Sequence, residues 1–510
     1  MAALSRANTL TERSNTLRGT RTGASNPFVA IPLQWRMLLV TYLLVYIVLT
    51  PGLREIVANS SAPLSGPRLV ADMVYQLLVF APIVFYRPRF GWLHPLIFPT
   101  VFGIGKHLIK SPGALLAPFA IGSAPQEVLV NPELPDFTAR QMAWANLEHQ
   151  LLSILGLLCY YGGFFFAQRY TTFDFKPSRV KFSRARRLTL ILGTAVLVSV
   201  GVVAIYVQQH GGLRSYMLSY FGPGRFRARG EVGGSIFFMV TLGVMATLVW
   251  YALSEKATRN PLFWAAAAYA IPVNFFITGS RGAVFVTVAL FGIVWVIRHR
   301  KIPKARVLAF GFLVLVLLGV MGDFRRSAWD GRMDWRVFVE TGLSDAIEET
   351  STEIDKRQSI QGGAGVMARV PEEVGFLKGK TYAGAVFFFV PKFIWESKPR
   401  GGGGLNGEII LGRGEGGGGV PIGPVAEAYW NFHIPGVVLV FFLFGIFHKA
   451  LARTFRRHSH ATAVWVLYVI VLVTLSPEAR NMNGSFKKLT LALILLFAVG
   501  ALSWRRRASS

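Results

Sequence analysis

The stretch from Ser235 to Leu253, SIFFMVTLGVMATLVWYAL, contains no charged residue. Wound as an α-helix at about 1.5 Å per residue it reaches roughly 28 Å, close to the ~30 Å hydrocarbon thickness of a bilayer. One such stretch fits a buried core helix as well as a membrane span, so recurrence decides. Comparable apolar stretches return at 33–53, 69–86, 91–109, 148–167, 188–207, 262–279, 281–297, 306–322, 429–448, 461–477 and 485–503. Together they predict an all-α integral membrane protein with about twelve transmembrane helices. Composition agrees: 52% of the 510 residues are hydrophobic and 16% are charged, with a mean hydropathy of +0.44. That is too apolar for a soluble globular chain of this length.

The connecting segments fall into two chemically different sets. The tail at 1–32, Arg87 to Arg89, 168–187, Lys256 to Arg259, Arg298 to Arg306, Lys449 to Arg457 and Arg505 to Arg507 are densely basic, against three acids at Glu12, Asp174 and Glu255. Under the positive-inside rule this set and both termini are cytoplasmic. The net charge of +28 then reads as a topology signal plus attraction to anionic lipid headgroups, and no nucleic-acid partner is expected. Residues 1–32 have no apolar h-region and are read as a polar tail, not a signal peptide. The single cysteine, Cys159, lies in an apolar run, which excludes a disulfide framework and a thiol-based metal or redox site.

On the opposite side the polar chain collects in two places, the segment 208–234 and the long segment 323–428. The first carries Arg214, Arg225, Arg227 and Arg229 with one acid, Glu231. Guanidinium forks match phosphate oxygens, so phosphate recognition and lipid-headgroup anchoring are both open. In the second, Asp345, Glu348, Glu349 and Glu353 recur at helical spacing without a histidine, a solvated helix face and not a metal site. Ala383 to Trp395, AGAVFFFVPKFIW, is too short to cross a bilayer and is broken by Pro391, as in a re-entrant or interfacial element. Lys392, Lys398 and Arg400 follow, then glycine runs at Gly401 to Gly404 and Gly416 to Gly419. These suit a loop that folds over a ligand or a plain spacer. GRGEGGGG is no P-loop, because no GK[ST] follows. Two ionisable residues stand at predicted helix mouths. Arg281 in FITGSRGAVFV lies near or inside the membrane boundary, where charges are costly and usually functional, unless it snorkels to the interface, and Glu427 before AYWNF is placed to act as a general base or to pair with a cation.

Taken in order, HGGLRSYMLSYFGPGRFRARG, ITGSRGAVFV and the block VPKFIWESKP…VPIGPVAEAYWNFHIPGVVLVFFLFGIF resemble the O-antigen (Wzy-type) polysaccharide polymerases over roughly residues 190–450. The resemblance implies a polytopic, GT-C-like glycosyltransferase of the bacterial inner membrane. Such an enzyme joins undecaprenyl-diphosphate-linked oligosaccharide repeat units at the periplasmic face, in O-antigen or exopolysaccharide synthesis, with a chain-length co-polymerase as a further partner. It further implies that Arg214, Arg225, Arg227 and Arg281, with Lys392, Lys398 and Arg400, hold the diphosphate. Glu427 would orient or deprotonate the acceptor, and Tyr429 and Asn431 would contact the glycan. No metal or other cofactor is implied. A glycan or lipid transporter or flippase and an O-antigen ligase-like transferase are the rival readings.

Overall fold

The computed structural model describes residues 28–45, 64–85, 87, 91–100, 134, 136–167, 176–177, 185–221, 234–278, 281–299, 320–321, 324, 327, 362–388, 390, 394–413, 419–459, 461–475, 477 and 482–503. Among these the regular secondary structure is helical apart from a two-residue antiparallel pairing of Lys176–Pro177 with Leu502–Ser503. In chain order the helices are α1 (Leu33–Tyr42), α2 (Ser65–Val84), α3 (Ala139–Phe166), α4 (Ala185–Gln209), α5 (Gly212–Phe221), α6 (Gly234–Leu253), α7 (Pro261–Thr278) and α8 (Arg281–His299). Then come α9 (Gly362–Arg369), α10 (Lys380–Val386), α11 (Gly402–Leu405), α12 (Gly423–Arg457), α13 (Thr462–Thr474) and α14 (Met482–Ala498).

Five of the described helices are long and apolar enough to cross a membrane, and shorter apolar helices accompany them. Large side chains such as Leu190, Leu197 and Phe166 point outward, each 70% exposed. A helical bundle that turns its apolar residues outward and satisfies its backbone internally is built for lipid, and the protein is membrane-embedded. Buried polar side chains bond across helices, as where Asn274 Nδ2 of α7 donates to Thr287 Oγ1 of α8 at 2.8 Å, a common adhesive between membrane helices.

The buried residues form two clusters. One draws on α4 to α8, α13, α14 and the far end of α12. The other draws on α1, α2, α3, α9 and the near end of α12. Helix α12 pairs most extensively with α3, and α6 with α4. Several helices start elsewhere than apolarity alone predicts. Helix α3 begins nine residues before 148, because Thr138 and Gln141 form a capping box: Gln141 N donates to Thr138 Oγ1 at 3.3 Å and Thr138 N to Gln141 Oε1 at 2.9 Å, satisfying two end donors. Helix α12 begins at Gly423 with a proline in its first turn, so the segment predicted to be loop up to 428 ends in helix. The segment 208–234 likewise opens with the end of α4 and then α5, and the chain turns between them at Gly211 and at Gly212, the first residue of α5, with φ 83° and 84°. The later part of the predicted span 91–109, almost all of the span 306–322, and Asp345, Glu348, Glu349 and Glu353 lie outside the described residues.

Helix α12 is broken near its start. Phe432 (φ −143°) and His433 (φ 60°, ψ −157°) leave helical geometry, the latter in a region that residues other than glycine rarely occupy. Asn431 O would ordinarily accept from residue 435, which is a proline with no N–H. The break frees two carbonyls, and both are taken by another segment: Leu377 N donates to Trp430 O at 2.9 Å and Lys378 N to Asn431 O at 3.1 Å. The Trp430 indole adds a bond to Gly375 O at 3.3 Å and the Tyr429 hydroxyl one to Val370 O at 3.3 Å. Residues 370–378 thus strap the short buried helix 423–431 in place.

Candidate functional site

That short helix carries Glu427, which is 8% exposed. Its carboxylate borders a cavity of about 410 Å³, within the size range of small-ligand sites. The cavity lies between the two buried clusters. Phe237 and Thr241 of α6 and Gly484, Lys487 and Lys488 of α14 line one side; Ile422 and Glu427 line the other, and Gly401 to Gly404 with Gly419 close it. Lys487 is also within electrostatic range of Lys398. Two half-buried lysines therefore line a space that one glutamate also lines, and a cation at membrane depth needs a partner of opposite charge. An anionic ligand fits that arrangement.

The closing segment is an ordered turn. Gly402–Leu405 is helical and continues as one wide π turn over Asn406–Ile410. A Cβ on Gly402 would lie 3.0 Å from Ile422 Cδ1 and 3.3 Å from the Glu427 carboxyl carbon, so a side chain there would press on the carboxylate that the glycine backbone now approaches. The two glycine runs clasp each other, with Val420 N donating to Gly403 O at 2.9 Å. A Cβ on Gly419 would approach that same carbonyl oxygen at 2.8 Å, whereas on Gly404 it would make ordinary contact with Arg400 Cβ at 3.7 Å. Gly419→Ala is accordingly expected to cost about 1–3 kcal/mol through overpacking. It should speed limited proteolysis between residues 401 and 420, with Gly404→Ala cleaved at close to the native rate. Equal cleavage of both would contradict the clasp.

Around Glu427 the bonding is specific. The Thr381 hydroxyl of α10 lies near enough to interact with its carboxylate. Asn431 Nδ2 donates to Thr381 Oγ1 at 2.7 Å and to Glu427 O at 2.7 Å. Tyr382 lies near enough to feel the Glu427 charge, and burial first, then that charge, pushes its phenol well above the usual range. Its hydroxyl is buried without a hydrogen-bond partner among the described residues.

The other residues expected from sequence divide clearly. Asn431 is fully buried beside Glu427, as a structural donor. Tyr429 follows Glu427 by two residues, about 200° around the helix, and packs away from the cavity against Phe376, with ring centroids 6.4 Å apart. Lys398 Nζ donates to Phe388 O at 2.6 Å and Val390 O at 2.8 Å, holding the end of the α10 segment. Arg400 pairs with Glu408 at 2.6 Å. Arg214 is exposed on α5 and does not line the cavity. Arg281 opens α8, but its side chain, like Arg225, Arg227 and Lys392, lies outside the described residues. Sequence reasoning passes over Lys487, Lys488, Thr381 and Tyr382. Only the lysines carried a signal, as adjacent charges inside an apolar stretch. No family model, curated protein or solved structure matches the chain.

Proposed function

We propose that the protein is a glycosyltransferase that extends a polysaccharide from undecaprenyl-diphosphate-linked repeat units at the periplasmic face of the bacterial inner membrane, with both termini cytoplasmic and about twelve spans. The observation that carries this reading is a buried carboxylate, Glu427, bordering the same cavity as Lys487 and Lys488 at the seam of a membrane-embedded bundle. In the reaction, the acceptor hydroxyl oxygen attacks the anomeric carbon of the donor glycan. The bond from that carbon to the diphosphate oxygen breaks and its electron pair leaves with the diphosphate. The hydroxyl proton passes to Glu427, a general base in reach of the cavity. Lys487 and Lys488 balance the charge gathering on the leaving group, which is the larger electrostatic task. Arg281, Arg225, Arg227 and Lys392 are the further cations proposed to approach the diphosphate, and Lys398, within electrostatic range of Lys487, adds to the positive charge there.

The test uses the full chain in lipid nanodiscs with undecaprenyl-diphosphate-linked repeat units. A ladder of products differing by one repeat, with release of undecaprenyl diphosphate, is expected. Transfer of the lipid-linked glycan across sealed vesicles with no new glycosidic bond would overturn the reading in favour of a transporter.

A further inference from the structure

Residues 380–388 and 394–400 form the two limbs of a hairpin whose return limb leads into Gly401, a residue of the cavity lining. The limbs are pressed together near the base, where a Cβ on Gly384 would lie 2.8 Å from Pro399 O. The chain leaves helical geometry after Val386, so the carbonyls beyond it have no partner along a helix. Lys398 reaches back to supply one: its Nζ donates to Phe388 O at 2.6 Å and to Val390 O at 2.8 Å. The Trp395 indole likewise stays within its own limb and donates to Ser397 Oγ at 3.1 Å. Internal satisfaction of polar groups is what hydrocarbon demands and water does not.

The side chains at that end of the hairpin are apolar and turned outward. Ile394 is 67% exposed, Val386 51% and Phe387 46%, and the Phe387 and Trp395 rings meet across the limbs at 6.2 Å. Exposed polar groups return toward the base, at Glu396 and Ser397 on one limb and Lys380 on the other. What covers the apolar end follows from its neighbours. Tyr382 precedes Val386 by one turn and shares its side of α10, and its ring stacks on Phe432 of α12, with centroids 6.1 Å and planes 4° apart. Phe432 is itself exposed, and Ile434, Val438, Leu439 and Leu443 continue the exposed apolar side chains down α12, a helix long and apolar enough to cross a membrane. The outward surface of the hairpin therefore runs into the lipid-facing side of a span. On the inward side Phe388 is buried against Phe238 of α6, with ring centroids 6.3 Å apart, beside Phe237 in the cavity wall.

We infer that this hairpin is a membrane anchor, its apolar end seated among the acyl chains of one leaflet and its base at the level of the headgroups, which holds the glycine-closed cavity at the hydrocarbon boundary. Lipid is the occupant of the surface, and not a second copy of the chain or another protein. A surface that waited in water for a protein partner would have no need to spend an ammonium group on its own carbonyls. A cavity at that depth takes an amphiphile, with the polar head inside and the hydrocarbon tail left in the bilayer. That last step rests on the glycosyltransferase reading, whereas the seating of the hairpin does not.

The experiment attaches a nitroxide to one cysteine at a time, in Phe387→Cys, Ile394→Cys, Leu439→Cys and Lys380→Cys, each in a Cys159→Ser background. The full chain is held in nanodiscs of phosphatidylethanolamine and phosphatidylglycerol. Collision with oxygen, which concentrates in hydrocarbon, is compared with collision with a water-soluble nickel chelate. Relative to Lys380→Cys, the ratio should shift toward oxygen in Phe387→Cys and Ile394→Cys by about as much as in Leu439→Cys. If Phe387→Cys does not accumulate, Ile394→Cys, the more exposed position, decides alone. A label in Ile394→Cys that favours nickel would overturn the anchor, and so would one shielded from both reagents, which marks a protein contact. Oxygen preference in a protein that never extends a glycan would leave the anchor standing and remove the glycosyltransferase reading. Glycan extension with nickel preference would do the reverse.

Discussion

Glu427→Gln is expected to reduce glycan extension by roughly 10²–10⁴-fold, the range associated with loss of a positioned general base, while the protein still inserts and folds. The reason lies in what the substitution preserves. A glutamine side chain has nearly the same shape and still fills the space beneath Gly402, whose own substitution is limited by a 3.3 Å approach to the Glu427 carboxyl group. What disappears is the basic oxygen and the negative charge opposite Lys487 and Lys488. Losing that charge leaves the lysines with no competing carboxylate in the cavity, so an anionic donor should bind at least as well as before. The signature is a fall in kcat with no rise in KM, measured with purified lipid-linked repeat units over a range of donor concentrations. Lys487→Met with Lys488→Met should show the complementary pattern, with weaker donor binding as well as slower turnover. A Glu427→Gln protein that extends glycans at the native rate would remove Glu427 from the chemistry.

The parts of this molecule that were legible in its sequence are those governed by composition over some twenty residues. Helices α2, α4, α6, α7 and α8 fall close to their expected positions because a bilayer-length apolar run has few other conformations open to it. Helix starts were less legible, because they depend on single residues. TARQ before α3 carries the pattern of a capping box, and GP at 423–424 places proline where a helix tolerates it, yet apolarity alone starts both helices too late. That displacement put Glu427 at a loop end, when it actually sits on a buried helical turn. The lysine pair at 487–488 was visible inside the span predicted for 485–503, and intramembrane charge is itself a functional signal. Thr381 and Tyr382 had no local signal. They reach Glu427 only because the break at Phe432–His433 frees two carbonyls that recruit residues 377–378, a contact across more than fifty positions of chain. The glycine run at 401–404 was recognisable as exceptional, but its role was not. It shapes a close approach between backbones, and only a folded partner shows what it approaches.

The largest effect on stability is expected far from the cavity, where α3 and α12 cross. A Cβ at Gly163 would run into the carbonyl of Phe442, and one at Gly445 into the carbonyl of Tyr160, both of them backbone groups that cannot swing aside. Small residues at such crossings allow membrane helices to approach closely, and packing, not the hydrophobic effect, holds helices together in lipid. Gly163→Ala and Gly445→Ala should therefore each cost about 1–3 kcal/mol or more through overpacking. Thermal melts in detergent should show this as a clear drop in midpoint. Gly193→Ala and Gly201→Ala in α4, where an added Cβ meets nothing within 4 Å, should be neutral or stabilising, since alanine is the better helix former by about 1 kcal/mol. The double variant Gly163→Ala with Gly445→Ala should lose less than the two single losses added, because one separation of the helices relieves both clashes. Melting of Gly163→Ala at the native midpoint would contradict so close a crossing. The break in α12 adds a further expectation. The segment with Glu427 is fixed by its own strap at 370–378 and not by the lower half of the helix, so whatever fraction of Gly445→Ala remains folded should extend glycans at the native rate per molecule.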